Sequence, residues 1–197
     1  MVYSYWTFSF GTVNDTLPEA NASTFQIVKD WLAHDSTHVY YKSHLVNGAD
    51  AATLKADKYP LFLDKNDYYY KGVPLKVKDM STFKVIERFD DDLWASDSHH
   101  IYFDSVCVAE ADVKTFKIKD DAFAVDKNHV FIGQRLVPLA DPETYEILDF
   151  CYSKDKSHVW YINDIIEGAD AATFTVDDDW IAHDKTGKYD RGKRQEP

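Results

Sequence analysis

The sequence predicts an all-β fold made of tandem β-hairpins. The first observation behind this prediction is a unit of 29 residues that recurs about six times. Each copy opens with Asn or Asp, has Thr three residues later, and has Asp eleven residues after that Thr, or fifteen in the third copy. The second observation is that β-favouring residues lie on both sides of this Asp. Such a period is typical of stacked units that bury their apolar faces against their neighbours.

Three positions define the frame of the repeat, and we name them opening residues, anchor threonines and anchor aspartates. The opening residues are Asn21, Asp50, Asp79, Asp112, Asp141 and Asp170; the anchor threonines are Thr24, Thr53, Thr82, Thr115, Thr144 and Thr173; the anchor aspartates are Asp35, Asp64, Asp97, Asp126, Asp155 and Asp184. Successive anchor aspartates are spaced 29, 33, 29, 29 and 29 residues apart. Only the third copy therefore carries an insertion, of four residues.

The opening residue and the anchor threonine predict a single helical turn, because the side chain of Asn or Asp accepts a backbone N–H two or three residues further on. A longer helix is not expected, since β-favouring residues follow the Thr at once. The aromatic residue or Leu directly after the Thr, such as Phe25 or Tyr145, is expected to point into the core.

Each anchor aspartate is flanked by two predicted strands. Before it, large and small residues alternate, as Trp94 and Ala95 do before Asp97, which is the period-two pattern of a strand. After it come three turn residues and then strong β formers, for example Val39-Tyr40-Tyr41. Strand, turn and strand make one β-hairpin per copy. We predict an open, curved, solenoid-like antiparallel array rather than a closed propeller, because a unit this short leaves little room for a four-stranded blade.

The frame divides the chain into three parts. Residues 1–18 do not follow it and are expected to form a cap strand at the edge of the first copy. Residues 19–190 are expected to form one domain of six repeats, and residues 191–197 a basic tail. The last copy loses the pattern at Thr186 and Gly187, where its second strand is due, which indicates either an end cap or a truncation.

Composition narrows the class of protein. With 45% hydrophobic residues the chain has ample material for a core and is not disordered. A net charge of -12 argues against a general binder of nucleic acid or of anionic membranes, since both surfaces would repel it. No apolar run approaches the ~18 residues that a membrane span requires.

Cellular location and cysteine chemistry are less constrained. The first ten residues lack a basic segment and a small-residue cleavage site, which favours the cytoplasm. A chain already freed of a signal peptide would look the same, so the periplasm and the cell envelope stay open. Cys107 and Cys151 occupy different places in the repeat, and we expect two buried free thiols rather than a disulfide or a zinc site.

One phrase of the repeat carries a family resemblance. The segment Asp64-Lys-Asn-Asp-Tyr-Tyr-Tyr70 is echoed by Asp126-Lys-Asn-His-Val-Phe and by Asp155-Lys-Ser-His-Val-Trp-Tyr. This phrase and its frame, over about residues 20–190, resemble the DKNYY repeat family of bacterial proteins. The resemblance implies a repeat fold and a bacterial origin, and it supplies no catalytic residues.

Four copies contain an Asp-x-x-His pair, which is the one pattern that suggests chemistry. The pairs are Asp35/His38, Asp97/His100, Asp126/His129 and Asp155/His158. A carboxylate and an imidazole across one turn are able to share a metal or relay a proton. Two ligands per turn are too few for a tight metal site, however, and copies two and six have Asp67 and Gly187 in place of His. We expect the Asp to accept backbone N–H bonds and the His to pack, with no metal, no cofactor and no enzyme activity.

Acidic residues form the second functional pattern. They fall in the turn between the anchor threonine and the hairpin and are predicted to line one edge of the stacked copies as an acidic rim. The candidate partner-binding residues are Asp90, Asp91, Asp92, Asp120, Asp121, Asp149, Asp177, Asp178 and Asp179. One interpretation is that Asp is a favoured turn residue that keeps the edge soluble. The other is that the rim steers association with a basic partner.

The resulting hypothesis is a non-catalytic protein that binds a basic protein partner, in its most concrete form an immunity protein that neutralises a cationic bacterial toxin. Two alternatives stay open. One is a structural or cell-envelope repeat protein, and the other is a metal-binding protein or enzyme that uses a His-bearing turn.

Overall fold

A computed structural model describes residues 2–7, 11–17, 19–29, 31–89, 92–149, 151–177 and 181–195. Within these ranges the regular structure consists of β-strands, with no helix. The prediction of an all-β fold is therefore confirmed. The chain divides into two compact units: unit one is Met1–Glu87 with Leu93–Cys107, and unit two is Arg88–Asp92 with Val108–Pro197.

The strands of the first three copies follow a two-stranded N-terminal sheet. That sheet pairs β1 (Val2–Thr7) with β2 (Gly11–Thr16). Copy one contains β3 (Gln26–Lys29), β4 (Leu32–His34), β5 (Val39–Tyr41) and β6 (His44–Leu45). Copy two contains β7 (Lys55–Ala56), β8 (Leu61–Leu63), β9 (Tyr68–Tyr70) and β10 (Val73–Pro74). Copy three contains β11 (Lys84–Phe89), β12 (Asp92–Ser96), β13 (Ile101–Phe103) and β14 (Val106–Val108).

The last three copies repeat the same order. Copy four contains β15 (Lys117–Ile118), β16 (Phe123–Val125), β17 (Val130–Ile132) and β18 (Arg135–Leu136). Copy five contains β19 (Glu146–Ile147), β20 (Tyr152–Lys154), β21 (Val159–Tyr161) and β22 (Asp164–Ile165). Copy six contains β23 (Thr175–Val176), β24 (Ala182–Asp184), β25 (Gly187–Asp190) and β26 (Lys193–Arg194).

Each copy is a four-stranded antiparallel sheet with its strands in sequence order, and none of the six sheets closes. The expected hairpin is the inner pair, for example β16 with β17, in which Ala124 lies opposite Phe131. The outer strands were not predicted, since most of them have only two residues, such as β15 and β18. Strands this short let four of them fit into a unit that had appeared too small for more than a hairpin.

The opening turn forms as a single turn in every copy. The N–H of each anchor threonine donates to the carbonyl oxygen of its opening residue, as Thr24 does to Asn21 at 3.1 Å. In copies four and five the next residue bonds to the same carbonyl oxygen, Phe116 to Asp112 and Tyr145 to Asp141, both at 3.0 Å. The chain then enters the first strand, so the turn does not grow into a helix.

Neighbouring copies share their cores, as the repeat period predicts. In unit one, Leu32 and Val39 of copy one pack with Phe62 and Tyr69 of copy two. In unit two, Val125 and Val130 pack with Trp160. Copies five and six likewise share a cluster that includes Tyr152, Phe174 and Tyr189. A single copy therefore buries its large side chains only by stacking on the next one.

Two local expectations, for the end of the last copy and for the cysteines, need correction, and the insertion takes a definite form. The last copy does not break down at Thr186 and Gly187: β25 forms there and buries Tyr189, and Lys193 and Arg194, expected in the tail, form β26. The insertion in copy three lengthens the β11 and β12 strands, to six and five residues. Both cysteines are free, but Cys107 is exposed in β14 and Cys151 is only half-buried.

Candidate binding site

Five of the six anchor aspartates are buried and Asp184 is half-buried, and backbone N–H groups surround their carboxylates. In copy one, Oδ1 of Asp35 accepts the N–H groups of Thr37 and His38, both at 2.7 Å. Its Oδ2 accepts the N–H of Asn21 at 2.9 Å and the hydroxyl of Tyr40 at 3.2 Å. The N–H bond from the opening residue recurs in all six copies. One side chain thus ties the opening turn, the hairpin turn and the second hairpin strand together.

The anchor threonines make a second link between the opening turn and the hairpin turn. Each Thr Oγ1 accepts the N–H of the residue directly after its anchor aspartate, at distances from 2.8 to 3.3 Å over the six copies. Where that following residue is Lys, its ammonium pairs with the opening aspartate, as Lys127 does with Asp112 at 2.8 Å. These bonds join the anchor threonine to the hairpin turn in every copy, including copy three, where four more residues separate the Thr from the Asp.

The pKa values of these groups reflect the bonds. Burial by itself raises the pKa of Asp35, but the N–H groups of Asn21, Thr37 and His38 outweigh it and hold the pKa well below its ordinary value. The same balance lowers the pKa of Asp184 to about 2. Burial and the charge of Asp35 raise the pKa of Tyr40 to about 12. The carboxylates of Asp35 and Asp184 are therefore ionised at neutral pH, and backbone N–H groups already use them as acceptors.

The histidines of the Asp-x-x-His pairs pack at the end of the hairpin, as expected. The ring Nδ1 of His100 lies 3.0 Å from Oδ1 of Asp97, and the corresponding distance from His158 to Asp155 is 3.6 Å. The ring of His129 lies against Phe131 with centroids 5.9 Å apart. Among the residues that the structure describes, no group of three or more His, Cys, Asp or Glu side chains is arranged to hold a metal ion. The pairs are elements of the turn.

The structure places five of the nine candidate acidic residues. Asp120 and Asp121 are exposed in the turn between β15 and β16. Asp149 is half-buried at the equivalent turn of copy five, where its Oδ1 accepts the N–H of Cys151 at 2.7 Å. Asp177 is exposed after β23, and Asp92 begins β12 half-buried. The other four, Asp90, Asp91, Asp178 and Asp179, lie outside the described residues.

Three of these carboxylates meet at one groove between copies four and five, which we call the first groove. It has a volume of about 470 Å³, and Asp120, Asp121 and Asp149 belong to its lining. The rest of the lining is mostly apolar and consists of Ala122, Phe123, Ile132, Tyr145, Ile147, Cys151, Tyr152, Ser153 and Ile162. None of these described lining residues is basic. The first groove is thus an apolar depression with carboxylates of two consecutive copies in its wall.

A second groove adjoins the first on the side of copy six. It has a volume of about 650 Å³ and shares Asp149, Cys151 and Tyr152 with the first groove. Its other lining residues are Tyr161, Ile181, Lys188, Tyr189, Asp190, Arg191 and Gln195. Ile181, three residues before the anchor aspartate of copy six, is 40% exposed and lies in this wall.

The acidic residues of the first groove were predicted from the sequence as partner-binding candidates, but its apolar residues were not. Ile147 and Ile162 are 43% and 55% exposed, and their positions do not stand out in a chain so rich in β-favouring residues. A signal was nevertheless present. Four residues before the anchor aspartate, copy one has Trp31, whereas copies four and five have the small residues Ala122 and Cys151.

Comparison with known proteins gives a family for the chain. No part of the described structure is a helix long and apolar enough to cross a membrane. No curated protein and no solved structure matches the chain. The DKNYY family matches residues 2–73, 94–147 and 137–193, which together include the six anchor aspartates. The frame of opening residue, anchor threonine and anchor aspartate that builds each sheet thus lies almost wholly within the matched segments, and the chain belongs to the DKNYY family.

Proposed function

We propose that this protein is a non-catalytic binding protein that captures a basic protein partner through its acidic, aromatic-rich repeat surface. The observation that carries the proposal is the first groove, in which Asp120, Asp121 and Asp149 border exposed Ile147 and Ile162. Apolar area supplies affinity when it is buried against a partner. Carboxylates around it select a partner of opposite charge and accelerate the encounter.

The chain as a whole suits this task. Its net charge of -12 produces a long-range field that attracts a cationic protein and repels nucleic acid. A structural role for the anchor aspartates supports the proposal, since the oxygens of Asp35, for example, accept backbone N–H bonds from Asn21, Thr37 and His38. In its most specific form the proposal is an immunity protein that neutralises a cationic bacterial toxin, for example a nuclease effector.

The test uses the protein encoded beside this chain in its source genome, which we expect to be basic and toxic when produced alone. Its association rate with this chain is measured by surface plasmon resonance at low and at high salt. We expect association to slow markedly as salt rises, because screening weakens attraction between exposed charges. A salt-independent rate, or a neighbouring protein that is neither basic nor toxic, argues against the proposal.

A matched pair of triple variants separates the groove from the overall charge. Asp120→Asn, Asp121→Asn and Asp149→Asn remove three charges, while an Asn side chain still offers the acceptor oxygen that Asp149 uses towards Cys151. Glu19→Gln, Asp57→Asn and Glu87→Gln remove three exposed charges in unit one. We expect the groove variant to bind about tenfold more slowly and no longer to protect cells, and the control to bind nearly as fast as the parent chain. Equal losses in both variants would mean that the groove is not the contact.

A further inference from the structure

The two grooves occur at copies four and five, which have the small residues Ala122 and Cys151 where copy one has Trp31. In copy one, the residue four before the anchor aspartate is Trp31, and its carbonyl oxygen accepts the N–H of Lys42 at 2.7 Å. The equivalent bonds join Gly133 to Ala122 at 2.6 Å and Ile162 to Cys151 at 2.5 Å. The three positions are therefore the same place in the fold. Copy six has Trp180 there, which lies outside the described residues.

The indole of Trp31 fills the space that is open in copies four and five. Its ring centroid lies 5.7 Å from that of Tyr41, 6.2 Å from that of Phe62 and 5.2 Å from that of Tyr59. In copy four, Ala122 replaces the indole. The equivalents of Tyr41 and Phe62 are the smaller Ile132 and Ser153, and all three line the first groove. The groove is thus the empty counterpart of a site that an aromatic side chain occupies elsewhere in the chain.

A second observation at the same place concerns the backbone. Ile162 has a φ of +59° and is 55% exposed in the wall of the first groove. A left-handed conformation is unfavourable for a β-branched residue and is typical of Gly or Asn. The equivalent positions in copies one, two, three and six are polar: Lys42, Lys71, Asp104 and Arg191. Unfavourable backbone conformations concentrate at binding and catalytic sites, where the surrounding structure offsets their cost.

We propose that the first and second grooves form a pair of sockets for two large apolar side chains of one peptide segment of a basic partner. Lysine or arginine next to the first apolar residue faces Asp120, Asp121 and Asp149. This inference rests on the proposed function and adds the sequence character of the partner segment. Ala122 and Cys151 determine specificity because their small side chains leave room for the incoming ones.

The test measures binding of two labelled synthetic peptides by fluorescence anisotropy. Both peptides are rich in lysine; one carries two leucines separated by a short Gly-Ser spacer, and in the other the second leucine is replaced by serine. We expect the two-leucine peptide to bind about tenfold more tightly, the gain of burying one more leucine. Ala122→Trp should weaken both peptides about tenfold, and Cys151→Trp, at a position that lines both grooves, should weaken the two-leucine peptide more than the one-leucine peptide. Equal affinity for the two peptides, or no effect of either Trp variant, overturns the two-socket arrangement.

A second set of variants guards against misfolding of the Trp variants. Ile162→Asn removes an apolar side chain from the wall of the first groove and relieves the strain of the left-handed backbone conformation. We expect this variant to remain folded and to bind the peptides several-fold more weakly. Leu139→Asn is the matched control, since Leu139 has a φ of +60° and is 74% exposed but lines neither groove. We expect its peptide affinity to be unchanged. Equal effects of the two Asn variants would contradict a contact at Ile162.

The outcomes also separate this inference from the proposed function. One result is loss of peptide binding in the Asp120→Asn, Asp121→Asn, Asp149→Asn variant, with unchanged binding in both Trp variants. It would support an acidic binding surface and contradict the two sockets. Weaker binding in both Trp variants, together with unchanged binding in the Asp120→Asn, Asp121→Asn, Asp149→Asn variant, would support two apolar sockets and contradict a partner selected by its charge.

Discussion

The backbone N–H of Asp112 donates a 2.8 Å hydrogen bond to Oδ2 of Asp126, fourteen residues further along the chain. The other carboxylate oxygen of Asp126 accepts the N–H groups of Asn128 and His129, both at 2.7 Å. A buried side chain therefore links the first turn of a copy to the turn of its hairpin. This relationship explains why the family phrase begins with Asp.

Removing this carboxylate should cost more stability than removing any exposed charge. We expect Asp126→Ala to lower the free energy of unfolding by about 3 kcal/mol, because three N–H groups lose a charged acceptor inside the protein. Urea unfolding followed by tryptophan fluorescence measures the change. Glu146→Ala, at an exposed strand position, is the control and should change stability by less than about 0.5 kcal/mol. Similar losses in the two variants would contradict the structural role of Asp126.

Acid should destabilise the fold through the same carboxylates. Hydrogen bonds outweigh burial and lower the pKa of Asp184 to about 2, below its ordinary value of 3.8, and the pKa values of Asp35 and Asp97 are lowered as well. A lowered folded-state pKa contributes stability that is present above the unfolded pKa and is lost as pH falls towards the folded one. We expect the urea midpoint to be flat from neutral pH to about pH 4 and to fall between about pH 4 and pH 2. A midpoint that does not change over that interval would show that these bonds contribute little.

Alkali should destabilise the fold through the tyrosines that donate to the anchor aspartates. Burial, together with the nearby charge of Asp35, raises the pKa of Tyr40 to about 12 from 10.0. Burial is also the first cause of the raised pKa values of Tyr69 and Tyr102. A raised folded-state pKa contributes stability below the unfolded pKa that is lost as pH rises through the folded one.

Absorbance of tyrosinate tests this expectation. Between about pH 10 and pH 12 the buried tyrosines should ionise together with loss of β-sheet circular dichroism, because ionisation and unfolding are linked. Tyr40→Phe should reduce the effect at small cost to the fold, since copy four has Phe131 at the equivalent position, fully buried. Ionisation of all thirteen tyrosines near pH 10, without unfolding, would refute the linkage.

Relief of backbone strain should stabilise the protein. Ile162→Asn replaces a β-branched residue at a φ of +59° with one that tolerates the left-handed region, and we expect a gain of about 1 kcal/mol in the free energy of unfolding. Val106→Asn, at an exposed position inside β14, should instead reduce stability, because Asn is unfavourable in a strand. Urea unfolding compares the two. A loss of stability at Ile162 would mean that its side chain contributes to packing rather than to a free surface.

The repeat frame allowed much of the fold to be predicted, and its limits are clear at particular residues. The period and the alternation around Asp97 or Asp126 indicated the inner hairpins, because the β-favouring signal there extends over three residues on each side. Outer strands such as β15 and β18 have two residues each, which is too few for any periodicity. In copy six, Gly187 and Lys188 are unfavourable for a strand, so none was predicted there. The strand forms because Tyr189 packs in the core shared with copy five.

The sequence by itself determined the number of copies, the all-β class, the turn chemistry of the anchor aspartates and the acidic character of the chain, since each of these is local or additive along the chain. Only the tertiary structure decided which residues meet in a groove. Asp120 and Asp149 are neighbours because copy five stacks on copy four. The space beside them is open because Ala122, Ile132 and Ser153 together replace an aromatic cluster. No single position encodes that space; it arises from the combined volumes of side chains on two stacked copies.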